Sequence, residues 1–356
     1  MAAASTAPVV DAAHDARTLG VPQRSARVVL PDPEDDDSEE EPEEAFIEEE
    51  RDFLAELPDE TEDLELVHLR IGSLAHLRLP RFSAHLKKLC LRQNFLSHLD
   101  PEIFHTLTKL HELDLYDNKV KHLGNSLDKL SELSVLDLSF NLIKSVPEAL
   151  QQLPSLQTVY FVQNRISKMS NFQASTRLRS LELGGNKIRK IENIEALVNL
   201  EELWIGKNKI TKLENLATLK KLRILSLQSN RITKLENLEE LESLEEIYLS
   251  HNGVQRIEGL EHNLKLTTLD LGNNFIPEIE NISHLTNLQE LWISNNQIPT
   301  LQALDSQLRH VTTLQTLYLE GNPCQTVDMA GYRRKIILAL PQIKQIDATF
   351  VFSILV

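Results

Sequence analysis

The strongest constraint in this chain is a repeat. Six segments between Leu178 and Asn296 follow one template: LRSLELGGN, LEELWIGKN, LRILSLQSN, LEEIYLSHN, LTTLDLGNN and LQELWISNN. They close on Asn186, Asn208, Asn230, Asn252, Asn274 and Asn296, so each step is 22 residues. A fixed period of this size means one short unit repeated, each copy burying its apolar face against the next. A chain that grows by stacking needs no second core. That sets aside the two or three globular domains that 356 residues would otherwise suggest.

LxxLxLxxN at this period is the signature of leucine-rich repeats. It predicts an α/β solenoid with a curved parallel sheet on the concave face and 3₁₀ turns or very short helices on the convex face. Strand periodicity points the leucines of LxL inward and the residue between them to the opposite face. The asparagine satisfies backbone groups that leave the strand and would otherwise be buried unpaired. Upstream copies end at Asn94, Asn118, Asn141 and Asn164, in steps of 24, 23 and 23 residues, and LQTLYLEGN ends at Asn322 after a step of 26. DLELVHLRI at 63–71 reads as a degenerate first copy with Leu69 in the asparagine position. A second Asn or Gly, at 193, 215, 237, 259 and 281, suits a turn with left-handed backbone. The charges around it read as a solvated face. The array thus spans 63–322, about twelve repeats. Residues 323–356 form a cap, with a helix over Met329–Leu340 stopped by Pro341 and a last strand at IKQID.

The charge of −16 belongs to the tail: Asp32 to Asp63 carries 19 acids against Arg51 alone. Residues 1–62 are therefore expected to be a disordered acidic tail, in preference to a short helix over 45–57 with Phe46, Ile47, Phe53 and Leu54 on one face. The near-neutral array argues against nucleic-acid binding by bulk charge. No apolar run is long enough to span a membrane, and the start lacks the basic segment of a signal peptide. Cys90 and Cys324 cannot build disulfide-rich end caps and read as reduced thiols of an intracellular protein. The Asn281-Ile-Ser triplet reads as chance, not as a glycosylation acceptor.

No nucleophile elbow, phosphate-cradling loop or ligand spacing among the histidines is present, so neither catalysis nor a metal or cofactor is expected. The informative column lies between the leucines: Cys90, Asp114, Asp137, Tyr160, Glu182, Trp204, Ser226, Tyr248, Asp270, Trp292 and Tyr318. Both tryptophans are in it, and no lysine or arginine is. Glu202, Glu246, Glu290, Glu320, Tyr116 and Phe140 flank it. Stacking between strands would explain one or two such aromatics. Five aromatics and four acids on an open face point instead to a protein-binding surface for a partner with basic patches.

LCLRQN, LDLYDN, SFN, LYLSHNG, IEGLEHN, IENISHL and the ending YRRK…LALP…QIDATFV resemble the leucine-rich-repeat regulatory subunits of type-1 protein phosphatase, the regulatory-subunit-7 family, over roughly 63–351. The resemblance implies a non-catalytic subunit of nucleus and cytoplasm that grips the type-1 serine/threonine protein phosphatase catalytic subunit. A further phosphatase inhibitor or regulator is an additional partner on the same reading. It maps contacts to Asp137, Tyr160, Glu182, Trp204, Asp270, Glu290, Trp292 and Tyr318, to which the column adds Tyr248. Tyr160 and Trp204 stand where that family commonly has Phe. The alternative is a generic repeat scaffold of a cytoskeletal, ciliary or ribonucleoprotein assembly.

Overall fold

The computed structural model describes residues 25–27 and 54–351. Their strands form one sheet of fifteen, in sequence order from end to end. It opens with β1 (Ser25–Arg27), β2 (Asp63–Glu65), β3 (Lys88–Cys90), β4 (Glu112–Asp114) and β5 (Val135–Asp137). The middle strands are β6 (Thr158–Tyr160), β7 (Ser180–Glu182), β8 (Glu202–Trp204), β9 (Ile224–Ser226) and β10 (Glu246–Tyr248). Last come β11 (Thr268–Asp270), β12 (Glu290–Trp292), β13 (Thr316–Tyr318), β14 (Gln345–Ile346) and β15 (Thr349–Phe350). All pairs are parallel except β14–β15.

Each repeat strand from β2 to β13 is three residues long with its middle residue buried, so the two flanking side chains share the open face. Behind them the leucines close one continuous core, most of them fully buried. The asparagines hold neighbouring coils in register. Asn208 Oδ1 accepts the Ile188 N–H at 2.9 Å, and its Nδ2 donates to the carbonyls of Leu183 (2.9 Å) and Ile205 (3.1 Å). The same triad recurs at each ladder asparagine. A second ladder runs through the turns. Asn171, Asn193, Asn215, Asn237 and Asn281 have positive φ and donate to a carbonyl one coil back at 2.6–2.8 Å. Gly259 replaces this asparagine once, with φ +71°; a Cβ there would lie 2.8 Å from the Leu235 carbonyl oxygen.

Step length decides what the convex side holds. The 22-residue coils return through turns alone, whereas longer steps accommodate α1 (Pro101–Phe104), a 3₁₀ turn at Glu148–Gln152 and α2 (Ala303–Leu308). At the C-terminal end, α3 (Pro323–Val327) and α4 (Met329–Ala339) bring Tyr332, Ile336 and Leu340 against the last coil. Ile337, which follows Ile336 on the same helix, is 36% exposed. Asp347 closes the ladder as a carboxylate, accepting the N–H groups of Leu319 (2.8 Å) and Glu320 (3.0 Å).

The described residues continue upstream of position 63. Most of 1–62, with its expected disorder and most of the 45–57 alternative, lies outside the described residues. Two parts of it are folded. Ser25–Arg27 pair in parallel with β2, covering its free backbone edge, and Leu54 is fully buried. Arg81 donates to the carbonyls of Leu54 and Leu57, clipping residues 54–62 over the first coil. The first coil has no neighbour to bury its apolar side, so the chain upstream supplies one. The density of acids hides those few apolar residues from a composition argument.

Candidate protein-binding face

The register stacks the residue after each central leucine into one row: Asp137↔Tyr160↔Glu182↔Trp204↔Ser226↔Tyr248↔Asp270↔Trp292↔Tyr318. Within it, large and small side chains alternate from Trp204 to Trp292, and the large ones close over the small. The Trp204 and Tyr248 rings stack at 6.2 Å and 21°, although their strands are two apart, roughly 10 Å at sheet spacing. Tyr248 then meets Trp292 edge-on at 6.2 Å, and Trp292 meets Tyr318 edge-on at 5.8 Å. Ser226 and Asp270 lie between these rings, 2% and 4% exposed. The result is a four-ring aromatic ridge, and Tyr160 is not part of it.

The polar ends of these rings are held from within the face. Tyr248 donates to Glu246 Oε2 at 2.6 Å and Trp292 Nε1 to Glu290 Oε2 at 3.0 Å. Gln345 of the cap donates to the Tyr318 hydroxyl at 2.7 Å. Glu246 and Glu290 therefore orient the rings while adding negative charge, and Glu202 lies beside Trp204 in the same column. The bonds from Tyr248 and Trp292 fix rotamers that would otherwise cost entropy on binding.

The acids divide into two kinds. Asp114, Asp137 and Asp270 each accept the N–H of the residue two ahead, at 2.9, 2.8 and 3.0 Å, and so secure the strand exit. Asp270 also takes hydrogen bonds from Ser250 and Gln228. Asp270, one of the predicted contact residues, is buried between Tyr248 and Trp292 in the row. The Glu182 carboxylate, by contrast, has no hydrogen-bond or ion-pair partner among the described residues. Burial, then repulsion from Asp137 and Glu202, pushes its carboxyl above the ordinary range. Asp137 is shifted the same way, again chiefly by burial. Tyr160, between them in the register, is raised by burial and by Glu182 and Asp137. This stretch is short of positive charge.

A second aromatic group, which the column reading placed only as flanking, lies at the other end. Tyr116 and Phe140 contact at 4.9 Å, and Arg92 sits 4.1 Å over the Tyr116 ring while pairing with Asp114 at 3.1 Å. Cys90 is half-buried beside Asp114, its thiol pushed up to about 12, mainly by burial. Neither cysteine is in a disulfide, and no group of three or more His, Cys, Asp or Glu able to hold a metal occurs among the described residues. No helix there is long and apolar enough to cross a membrane.

Family models described as leucine-rich repeat match residues 84–143 and 158–246, and a two-copy leucine-rich-repeat model matches 264–306. The chain is a leucine-rich-repeat protein. A leucine-rich-repeat protein of Leptospira interrogans shares the fold at a TM-score of 0.65 and 26% identity, over 80% of this chain and 83% of that one. Among curated proteins, this leucine-rich-repeat chain is 47% identical over 101 residues to the protein phosphatase 1 regulatory subunit SDS22 of Saccharomyces cerevisiae, which is 28% of this chain and 30% of that protein. It is 38% identical over 139 residues to the protein phosphatase 1 regulatory inhibitor subunit PPP1R7 homolog of Arabidopsis thaliana, 37% of this chain and 40% of that protein. The matched stretches span less than half the length of either relative.

Proposed function

We propose that this protein is a non-catalytic regulatory subunit that binds the catalytic subunit of type-1 serine/threonine protein phosphatase through its concave face. The observation that carries the reading is the joint occurrence of the aromatic ridge Trp204–Tyr248–Trp292–Tyr318 and the base-free carboxylates around Glu182. Rigid, oriented aromatics beside unneutralised acids are what a partner with basic patches selects. Local identity to phosphatase regulatory subunits supports this choice of partner over an arbitrary one.

On this reading Trp204, Tyr248, Trp292 and Tyr318 are anchors, and Tyr160, Glu182, Asp137 and Glu290 supply charge and hydrogen bonds. Asp270 holds the ridge from below. The array over 63–322 does the binding, the cap over 323–356 protects its end, and the complex is intracellular, in nucleus and cytoplasm. A further phosphatase inhibitor or regulator would join as a third component. Calorimetric titration of the purified chain with purified type-1 phosphatase catalytic subunit tests the assignment: saturable binding is expected, and none would leave only the general scaffold reading.

A further inference from the structure

Beyond the concave face, one side of the solenoid has a charge pattern that the proposed partner contact does not use. In four consecutive coils, the residues around the ladder asparagine read VQNRISK (162–168), GGNKIRK (184–190), GKNKITK (206–212) and QSNRITK (228–234). Together they hold ten cations and no carboxylate. Stacking puts them on one edge. The backbone N–H groups of Arg165, Lys187, Lys209 and Arg231 donate to the coil before at 2.8 Å, in identical register, so one cation emerges per coil at about 4.8 Å spacing.

Next to this row, charge is paired. Lys190, Lys212 and Lys234 reach Glu214, Glu236 and Glu258 one coil on, at 3.9–4.0 Å. Arg165, Lys187, Arg189, Lys209 and Arg231 have neither an ion pair nor a side-chain hydrogen bond among the described residues. All are exposed except Lys209, which is half-buried. A single lysine of this kind is ordinary solvated surface. Four in line, with Arg189 beside them, repel one another, and the adjacent column shows how easily a glutamate could have relieved them.

We propose that this ridge binds an extended acidic segment of a partner protein, one presenting carboxylate or phosphorylated side chains. The chemistry favours a protein segment over nucleic acid. No aromatic residue lies in the four stretches to stack a base, and the array as a whole is close to neutral, with no bulk basic excess to displace counterions from a nucleic-acid backbone. Side chains on one face of an extended peptide recur at roughly 6.6–6.8 Å, a mismatch that flexible Lys and Arg stems absorb.

The test uses the full chain and fluorescence anisotropy with a short fluorescein-labelled polyglutamate peptide at low ionic strength. Saturable, salt-sensitive binding is expected, weakened about tenfold or more in Lys187→Glu/Lys209→Glu. The same charge change placed on the cap, Lys335→Glu/Lys344→Glu, should leave binding near the original value. No saturable binding, equal loss in both double variants, or tighter binding of an oligothymidylate of matched length would each overturn the proposal. So would zero-length crosslinks from Lys187 and Lys209 that reach only this chain's own acids in the presence of peptide. Phosphatase titration of the ridge variant keeps the two surfaces apart, since the ridge reversal should leave that affinity in place.

Discussion

The two ends of the concave face are built from the same residue types and treat them oppositely. Around β3 and β4, Arg92 covers Tyr116 and pairs with Asp114, and Lys88 pairs with Glu112 at 3.0 Å. Aromatic and acid there already have their cation. From β7 to β13 no cation enters the strand columns, the acids face one another or the rings, and the rings stack on themselves. Counting residue types along the column makes the halves look alike. Internal neutralisation separates a finished surface from one that gains by meeting a basic partner.

The largest expected effect breaks this comparison directly. Trp204→Ala and Trp292→Ala should each weaken phosphatase binding by on the order of 2 kcal/mol or more, because each removes a rigid anchor and uncovers its neighbours. Tyr116→Ala/Phe140→Ala should cost far less, the pair being engaged with Arg92. Calorimetry on the two single tryptophan variants and on the Tyr116→Ala/Phe140→Ala double variant decides it. Equal losses would mean that both ends touch the partner and that internal pairing does not mark the boundary.

The asparagine ladder is the control, since it is uniform across both ends. Asn118 and Asn208 each accept one N–H and donate to carbonyls of their own and the preceding coil. Substitution by Ala should therefore destabilise by about 1–3 kcal/mol at either position, read from urea unfolding. A cost at one end only would show that the coils do not contribute alike.

How much of this could be read from the sequence depends on the range of the interaction involved. LxxLxLxxN specifies strand, turn and core because each role is set within a coil, and Met329–Leu340 announces its helix by spacing and Pro341. The second ladder through Asn193 and Asn215 was legible only as turn preference, because its acceptor lies 24 residues back. Alternation in the column placed Trp204 and Trp292 on the open face, yet could not say that Asp270 would be roofed over by the rings beside it. That outcome depends on rotamers two strands apart. Ser25–Arg27 carries no pattern of its own; its strand exists because β2 offers an edge.

A smaller effect tests how far the core tolerates departures from the repeat. Asn263 stands where sister coils have Leu219, Leu241 and Leu285, fully buried, with Nδ2 donating to the carbonyls of Leu238 and Leu241 and Oδ1 unpartnered among the described residues. Those carbonyls already accept the N–H groups of Leu241 and Leu244. Asn263→Leu should therefore raise stability by about 1 kcal/mol, measured as a higher urea midpoint. A drop would mean that the site holds the turn in a way leucine cannot.

The smallest effect concerns pH and the uncompensated acids. The Glu182 carboxyl is raised by burial and by Asp137 and Glu202, so the folded chain holds this proton more tightly than the unfolded one. Its contribution to stability then falls as pH rises through the carboxylate range up to the raised value, the reverse of a salt-bridged acid. A basic partner group would favour the ionised form, so affinity should rise across that same window while the free chain loses stability. Urea unfolding and calorimetric titration at mildly acidic and neutral pH would show the two slopes with opposite sign. Glu182→Gln should flatten both. If the variant flattens the stability slope and leaves the affinity slope intact, Glu182 is strained by its neighbours without being the group the partner neutralises.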